Sequence, residues 1–363
     1  MTSSEGNQES TADSGGLTAA VESDSPCQPC GSRAVEIRPN SSFSEQLPQL
    51  QLGIDSTSLG AFKKCPRYYQ LAVLEGWEPK APDGWPEHFR PQVDLQFGIW
   101  MHEGREGYEG FRSMGLEHEE ALERTLDWAM LATWDAASGR PWNSGDGIKN
   151  RFTLVRTLAW YLDRYQDDPA KTIQLASGAP AVEHSFRFPS GFRSHLTGED
   201  FLLCGHLDKV VEFQDNFWLN DLKTTRSQLG RWWVESFTPD NQFSLYIFAG
   251  QVVFPFKVQG LMLDGVQVLA SGARFERYPI KRGRVELEEW HSGLGWWLEQ
   301  LEHAVERLVE RGLDFPLNEK ACWRCDFRQV CSKPSPGSRK GELERGFRRR
   351  QWDPLKARGE EMG

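Results

Sequence analysis

Long apolar runs are missing from this chain. No stretch of about 18 apolar residues, the length a helix needs to cross a bilayer, occurs anywhere in it. Nor does a basic segment followed by an apolar one stand near its start. Both absences lead to the expectation of a cytoplasmic protein with no membrane partner. Positive charge is also in short supply. The chain has 42 Lys and Arg against 52 Asp and Glu, a formal net charge of −10. That excludes a protein that coats nucleic acid through bulk positive charge. Cysteine is sparse, seven in 363 residues. In a chain read as cytoplasmic this excludes a disulfide framework, so the spacing of the thiols is read for metals.

Carboxylates are plentiful, as a site that collects metal ions requires. Tryptophan is plentiful too, with 15 residues to fill a core or present flat faces. Hydrophobic and charged shares of 39% and 26% are those of a globular protein with one large core or two modest ones. Residues 1–50, rich in Ser, Glu, Gly and Gln, read as a disordered leader. Cys27-Gln-Pro-Cys30 lies in that leader, as a flexible thiol pair or a weak metal motif. Residues 51–335 read as the folded domain, and 336–363 as a polar basic tail.

Within the domain, Ser56 is the expected N-cap of a helix that Pro66 breaks or kinks. Leu95–Arg112 reads as a helix with Gly98, His102 and Glu106 on one face. Gly98 would let that helix lie close to a sheet; His102 is either a half-buried helix residue or a ligand. Two amphipathic helices follow, Glu117–Ala137 and Ile148–Asp167, joined by a Gly-rich loop. Ala181–Phe188 alternates as a strand and carries Glu183, either a solvent-facing acid or a functional one. Gln242 and Tyr246 share a face of another helix. Val258–Leu269 and Ala273–Ile280 form a strand pair, and Glu286–Arg311 a long helix. The Arg348-Arg349-Arg350 run in the tail reads as a solvated stretch or a nonspecific phosphate contact, with the interleaved acids favouring the former.

The most informative stretch is Leu202–Arg226. It reads as two strands joined by a short turn, with Asp208 on the first and Asp221-Leu222-Lys223 on the second. Two carboxylates suit a hard divalent cation, His102 would add a nitrogen ligand, and the Leu222 carbonyl is a further candidate. Lys223, two residues from Asp221, projects from the same strand face, where it would contact a phosphate or orient water. This is a layout for metal-assisted phosphodiester hydrolysis. It makes a geometric demand. Asp208 meets Asp221 only across an even loop, either Gln214-Asp215 or Phe213–Asn216, or with a bulge that restores the register.

Cys322-x2-Cys325-x5-Cys331 gathers three thiols, and Cys65 is the candidate for a fourth. Four thiolates suit zinc or a [4Fe–4S] cluster, and a remote fourth ligand points more to the cluster. Cys204 is left as a core thiol.

In this order, Gly98-x3-His102, Glu183, Gly205-x2-Asp208, Asp221-x-Lys223 and Gln242-x3-Tyr246 resemble the PD-(D/E)XK nuclease superfamily, within it the RecB-like nuclease domain. Cys65-Pro66-Arg67-Tyr68 with the late cysteines resembles the iron–sulfur branch of CRISPR-adaptation and AddAB-type nucleases. The resemblance implies an α/β fold: a mixed central sheet flanked by helices, a restriction-endonuclease-like core with a helical insertion, and an iron–sulfur-stapled lobe of N- and C-terminal segments. It implies Mg2+ or Mn2+ held by His102, Asp208 and Asp221, with Glu183 counted beside them. Lys223 would be the catalytic lysine, with Gln242 and Tyr246 near the site or the DNA. A [4Fe–4S] cluster would sit on Cys65, Cys322, Cys325 and Cys331. The implied activity is that of a deoxyribonuclease, an exonuclease on single-stranded DNA or DNA ends, in repair or recombination. A helicase, a recombination complex or a CRISPR-adaptation complex is the implied partner. Two other readings stand beside it: a non-catalytic iron–sulfur DNA-binding adaptor, and a protein whose cysteines hold structural zinc.

Overall fold

The computed structural model describes residues 42–355 apart from 84, 87, 176, 177 and 351. Cys27, Cys30 and most of the expected leader lie outside the described residues.

Among the described residues the first elements are β1 (Gly53–Ile54), α1 (Ser56–Lys64) and α2 (Pro66–Tyr69), the last continuing as a π turn over Gln70–Leu74. After β2 (Trp77–Pro79) come α3 (Val93–Ser113), α4 (His118–Ala132) and α5 (Arg151–Arg164). A small hairpin, β3 (Trp134–Asp135) and β4 (Arg140–Pro141), separates the last two helices. β5 (Lys171–Thr172), β6 (Val182–Arg193), β7 (Asp200–Phe213) and β8 (Asn216–Thr225) lead to α6 (Arg231–Glu235) and α7 (Asn241–Val253). Next come β9 (Val258–Val268), β10 (Ala273–Ile280) and α8 (Arg284–Arg311). The chain closes with α9 (Arg328–Cys331), α10 (Pro336–Gly346) and β11 (Phe347–Arg349).

Seven of the described strands form one mixed sheet, in which β1 runs parallel to β7 and β8 parallel to β9. Helices cover it in two layers. One apolar cluster binds α1, α7 and α8 to the sheet, and a second binds α3, α4 and α5 to Leu222, Val266 and Val268. Among the described residues, no helix is long and apolar enough to cross a membrane.

β7 decides where the site lies. Its first half pairs with β6 and β1, its second half with β5 and β8. The turn to β8 has two residues, Gln214 and Asp215, with φ of +51° and +58°. These are the two left-handed conformations of a type I′ hairpin. Phe213 therefore pairs with Asn216 and Lys209 with Asn220. The pairing stops there, one residue short of Asp208 and Asp221, so the strands part at the two acids. The even loop demanded by the sequence is present.

Several expectations are corrected. Asp55, not Ser56, caps α1; its carboxylate accepts from the Ser58 amide at 2.9 Å. Gly98 is not a close-approach glycine, because an added Cβ would lie 3.9 Å from its nearest neighbour, Thr224 Oγ1. Gly104 is one, because a Cβ there would fall 2.6 Å from Leu158 Cδ2. Residues 42–50, assigned to the leader, belong to the folded unit: Phe43 and Leu50 are buried in the main core, and Phe43 bridges to Gln51. The described part of the tail is folded as well. α10 is capped by Ser335, β11 pairs with β2, and Leu343 and Phe347 are buried beside Leu71, Phe327 and Val330. Arg348 is neither solvated nor free for phosphate; it pairs with Glu78 at 2.6 Å, while Arg349 stacks 3.7 Å above the Trp77 ring. Alternating charge hid the few apolar anchors that fold this segment.

The turn yields a stability prediction. Neither Gln nor Asp favours a left-handed conformation as Asn and Gly do. Replacing Gln214-Asp215 by Asn-Gly should raise stability by about 1 kcal/mol, read as a higher denaturation midpoint at unchanged m-value.

Candidate metal centre

The parting of β7 and β8 releases backbone groups and opens space for side chains. The Leu222 amide, no longer in the β7 ladder, donates to Asp208 Oδ2 at 3.2 Å. The same oxygen lies 2.9 Å from His102 Nδ1 and accepts from Arg105 Nη2 at 3.1 Å, both on α3. Arg105 Nη1 also donates to Asn220 Oδ1 at 2.9 Å, on the strand that carries Asp221. α3 thus holds the β7 acid and grips β8 with a single guanidinium.

Glu183 occupies the position of β6 that faces Asp208 in the register. Its φ of +46° is left-handed, a conformation costly for a residue with a Cβ and characteristic of functional positions. Ligand atoms of His102, Glu183 and Asp208 all lie within 4.8 Å of one another. Among the described residues, this is the one group of three or more His, Cys, Asp or Glu so close. Two carboxylates are hard oxygen donors and the imidazole a borderline nitrogen donor; the set fits a divalent cation such as Mg2+ or Mn2+, the nitrogen favouring Mn2+.

Asp221 stands beside this trio and not within it. Its carboxylate is buried and paired with Lys223, whose Nζ donates to Oδ1 at 3.0 Å and lies 2.9 Å from Oδ2. Lys223 is about a quarter exposed, with its ammonium 5.8 Å from the Phe243 ring of α7. Further along α7, Gln242 Nε2 donates to the Tyr246 hydroxyl at 2.9 Å. Burial, then the charges of Asp208, Asp221 and Glu183, raise the Tyr246 pKa and keep that hydroxyl protonated.

The two aspartates titrate in opposite directions. Burial alone would raise both. At Asp208 it is outweighed by His102, Arg105 and Lys223, which hold the carboxyl well below the usual range. At Asp221 burial prevails over Lys223, and the charge of Asp208 adds to it, so the carboxyl is pushed up to about 6. Like charges held close in a dry site separate in this way.

Sequence reasoning missed Arg105 and Asn220. Arg105 lies three residues after His102 and therefore on the same helix face, which was the available signal; nothing local marks Asn220. Leu222, whose carbonyl was a further candidate ligand, contacts Asp208 through its amide.

The sequence profile of the PD-(D/E)XK nuclease superfamily matches residues 56–332. The chain belongs to the PD-(D/E)XK nuclease superfamily. Members of the superfamily are in general metal-dependent nucleases, consistent with the close donor set of His102, Glu183 and Asp208. None of the curated proteins matches the chain. A solved structure entitled "Crystal structure of SSO0001" is similar at 11% identity and a TM-score of 0.27, over 51% of this chain and 70% of that one. A likeness that slight carries no argument.

At a second place, Cys65, Cys322, Cys325 and Cys331 line one small cavity. Cys65 is the hinge between α1 and α2, in extended conformation, with Pro66 starting the new helix. The C-terminal segment crosses it: the Asn318 amide lies 3.4 Å from Cys65 Sγ, and Arg67 donates to the Phe315 carbonyl at 2.8 Å. No three of the four sulfurs lie within 4.8 Å of one another. A single zinc with Zn–S near 2.3 Å requires sulfurs about 3.8 Å apart. The thiols are not gathered to that spacing here, and thiolates are the donor type of zinc and of iron–sulfur groups alike.

The raised pKa of Asp221 leads to a pH dependence of cation binding, to which deprotonation of His102 also contributes. A proton on Asp221 removes a negative charge from the site, so affinity should fall as pH drops through about 6. Differential scanning fluorimetry with Mn2+ should show a rise in Tm at pH 8 that is much reduced at pH 5. An equal rise at both pH values would remove Asp221 from the cation site.

Proposed function

We propose that the protein is a RecB-like, metal-dependent deoxyribonuclease of the iron–sulfur branch, acting as an exonuclease on single-stranded DNA or DNA ends. The observation that carries this reading is the meeting of His102, Glu183 and Asp208 beside the buried Asp221–Lys223 pair.

His102, Glu183, Asp208 and Asp221 would hold the Mg2+ or Mn2+. Bound there, the cation supplies charge neutralisation at the phosphate and lowers the pKa of a water. Arg105 and the Leu222 amide fix one oxygen of Asp208, so the carboxylate keeps one orientation. Lys223 stays protonated because Asp221 and Asp208 outweigh its burial, and its ammonium is the charge available to the attacked phosphate. Tyr246, kept neutral and oriented by Gln242, offers a hydroxyl donor at the same place. An adaptor that had kept only the fold would not need this set intact.

What supports a [4Fe–4S] cluster is that Cys65 and the three late cysteines line one cavity, three local thiols and one remote. Its place between α1, α2 and the C-terminal segment gives it a structural role, joining the two ends of the folded unit.

Asp208→Asn and Lys223→Ala should each lower cleavage by at least about 1,000-fold, a loss on the scale of removing a preorganised charge. Both should leave visible absorbance intact. Wild-type rates in either variant would refute the assignment. End-labelled linear strands should be degraded and circular single strands spared; cutting of circles would make the enzyme an endonuclease. Separately, anaerobically purified protein should be brown, and Cys65→Ser should bleach it and lower its Tm. Colourless protein with stoichiometric zinc would replace the cluster without touching the nuclease reading.

A further inference from the structure

α5 carries an aromatic stripe on its outer side. Phe152, Arg156 and Trp160 stand four residues apart, so they share one helix face. Phe152 is 72% exposed and Trp160 44%. Among the described residues, neither ring joins the apolar cluster that binds α5 to the sheet. The Arg156 guanidinium lies between them, 5.6 Å from the Phe152 centroid and 5.2 Å from the Trp160 centroid. Exposure of that extent leaves ring surface open beside the cation, most of it at Phe152.

Arg156 is held by backbone and not by acids. It donates to the Leu269, Ala270 and Gly272 carbonyls at 2.6, 3.0 and 3.0 Å, in the turn between β9 and β10. Carbonyls satisfy its donors without cancelling its charge. Arg151, one turn earlier, donates to Thr133 Oγ1 and the Met130 carbonyl and lies 5.8 Å from the Trp134 ring. The C-terminal end of α4 offsets part of that charge; Arg156 has no such offset. Among the described residues, no carboxylate pairs with either guanidinium. The charges around them balance out. Lys149 and Arg226 are matched by Asp94 and Asp146. Past Trp160, Asp163 lies 3.4 Å from His118 and is followed by Arg164.

The stripe also lies toward the end of β8 that follows Lys223. Lys149, three residues before Phe152, donates at 3.0 Å to the hydroxyl of Thr224, the residue after Lys223. The turn gripped by Arg156 starts two residues past Gln267, the register partner of Thr225. Open rings beside an unpaired cation suit a strand whose bases are free to stack and whose backbone is anionic. A duplex keeps its base faces in its own stack. An apolar protein partner would bury Arg156 with no counter-charge, which is costly.

We propose that the outer face of α5 is a stacking platform for single-stranded DNA, with bases on Phe152 and Trp160 and backbone phosphate near Arg156. Its role, holding the strand beside the metal centre, rests on the nuclease reading; the binding itself does not.

Fluorescence anisotropy on the full chain in EDTA reads binding without cleavage, using a labelled oligothymidylate of about 20 nucleotides. Saturable binding is expected. Phe152→Ala with Trp160→Ala should weaken it at least about tenfold, the scale of losing two stacked bases. Phe152→Ala alone, at the more exposed ring, should weaken it at least about threefold and does not depend on the pair folding. Phe152→Tyr with Trp160→Phe keeps both ring faces and should bind within about threefold of wild type. Trp296→Ala, at an exposed ring of α8, should bind as wild type. The proposal is overturned by no saturable binding, by unchanged affinity in the alanine variants, or by an equal loss in the aromatic pair or in Trp296→Ala. Self-association that the alanine pair abolishes while DNA binding persists would make the face a contact between copies. If cleavage fails while the platform binding holds, the nuclease reading falls and the platform stands. If cleavage occurs and the alanine pair binds as wild type, the platform falls and the nuclease reading stands.

Discussion

The end of the β7–β8 ladder at Lys209 and Asn220 is the constraint on which the rest depends. A continued ladder would bind the Leu222 amide to backbone and leave the acids side by side on a closed sheet. Because it ends, the amide turns to Asp208, and α3 and α7 both reach the gap from opposite layers. The turn sets the register that brings this about. One additional residue there would send Asp208 and Asp221 to opposite faces.

A set of buried charges surrounds that gap and is costly to assemble. Arg105 joins Asp208 to Asn220, and Asn220 passes on to Asp264 at 3.0 Å. Asp264 accepts from Tyr161 at 2.8 Å and from Arg277, which also holds Asp168. Each charge has a partner, as burial requires, since an unpaired one would cost several kcal/mol. The exception is deliberate in its effect. Asp221 has one ammonium, Lys223, and its pKa is raised by burial first and then by the nearby Asp208 charge. A bound cation would oppose that shift, so the site is least comfortable when empty, a trade of stability for function common in such sites.

The other end of the molecule follows a different logic. α1, α2 and the segment from Phe315 to Arg349 are far apart in sequence and meet around four thiols. Direct bonds from Arg67, Asn318 and Arg348 tie them before any inorganic group is considered. A polynuclear group at the cysteines would add to an existing seam.

The sequence by itself determined most of the elements and offered the candidate residues of the centre. The hairpin, its even turn, the long helices at Val93–Ser113 and Arg284–Arg311 and the strand pair at Val258–Ile280 were all legible, because periodicity and turn length are local properties. His102, Asp208, Asp221 and Lys223 could be picked out as candidates from residue type and spacing, and the fold brings His102 to Asp208 and Lys223 to Asp221. Tertiary structure decided the rest. It separated Asp221 from the trio of His102, Glu183 and Asp208, since where two strands part depends on what α3 inserts between them. It brought in Arg105 and Asn220, whose roles come from contacts more than 100 residues apart in sequence. It also folded the basic tail, where buried Leu343 and Phe347 and a cross-chain pair with Glu78 outweigh a composition that reads as solvated. Local pattern fixes which face a side chain takes; which group it meets there depends on how the layers close over the sheet.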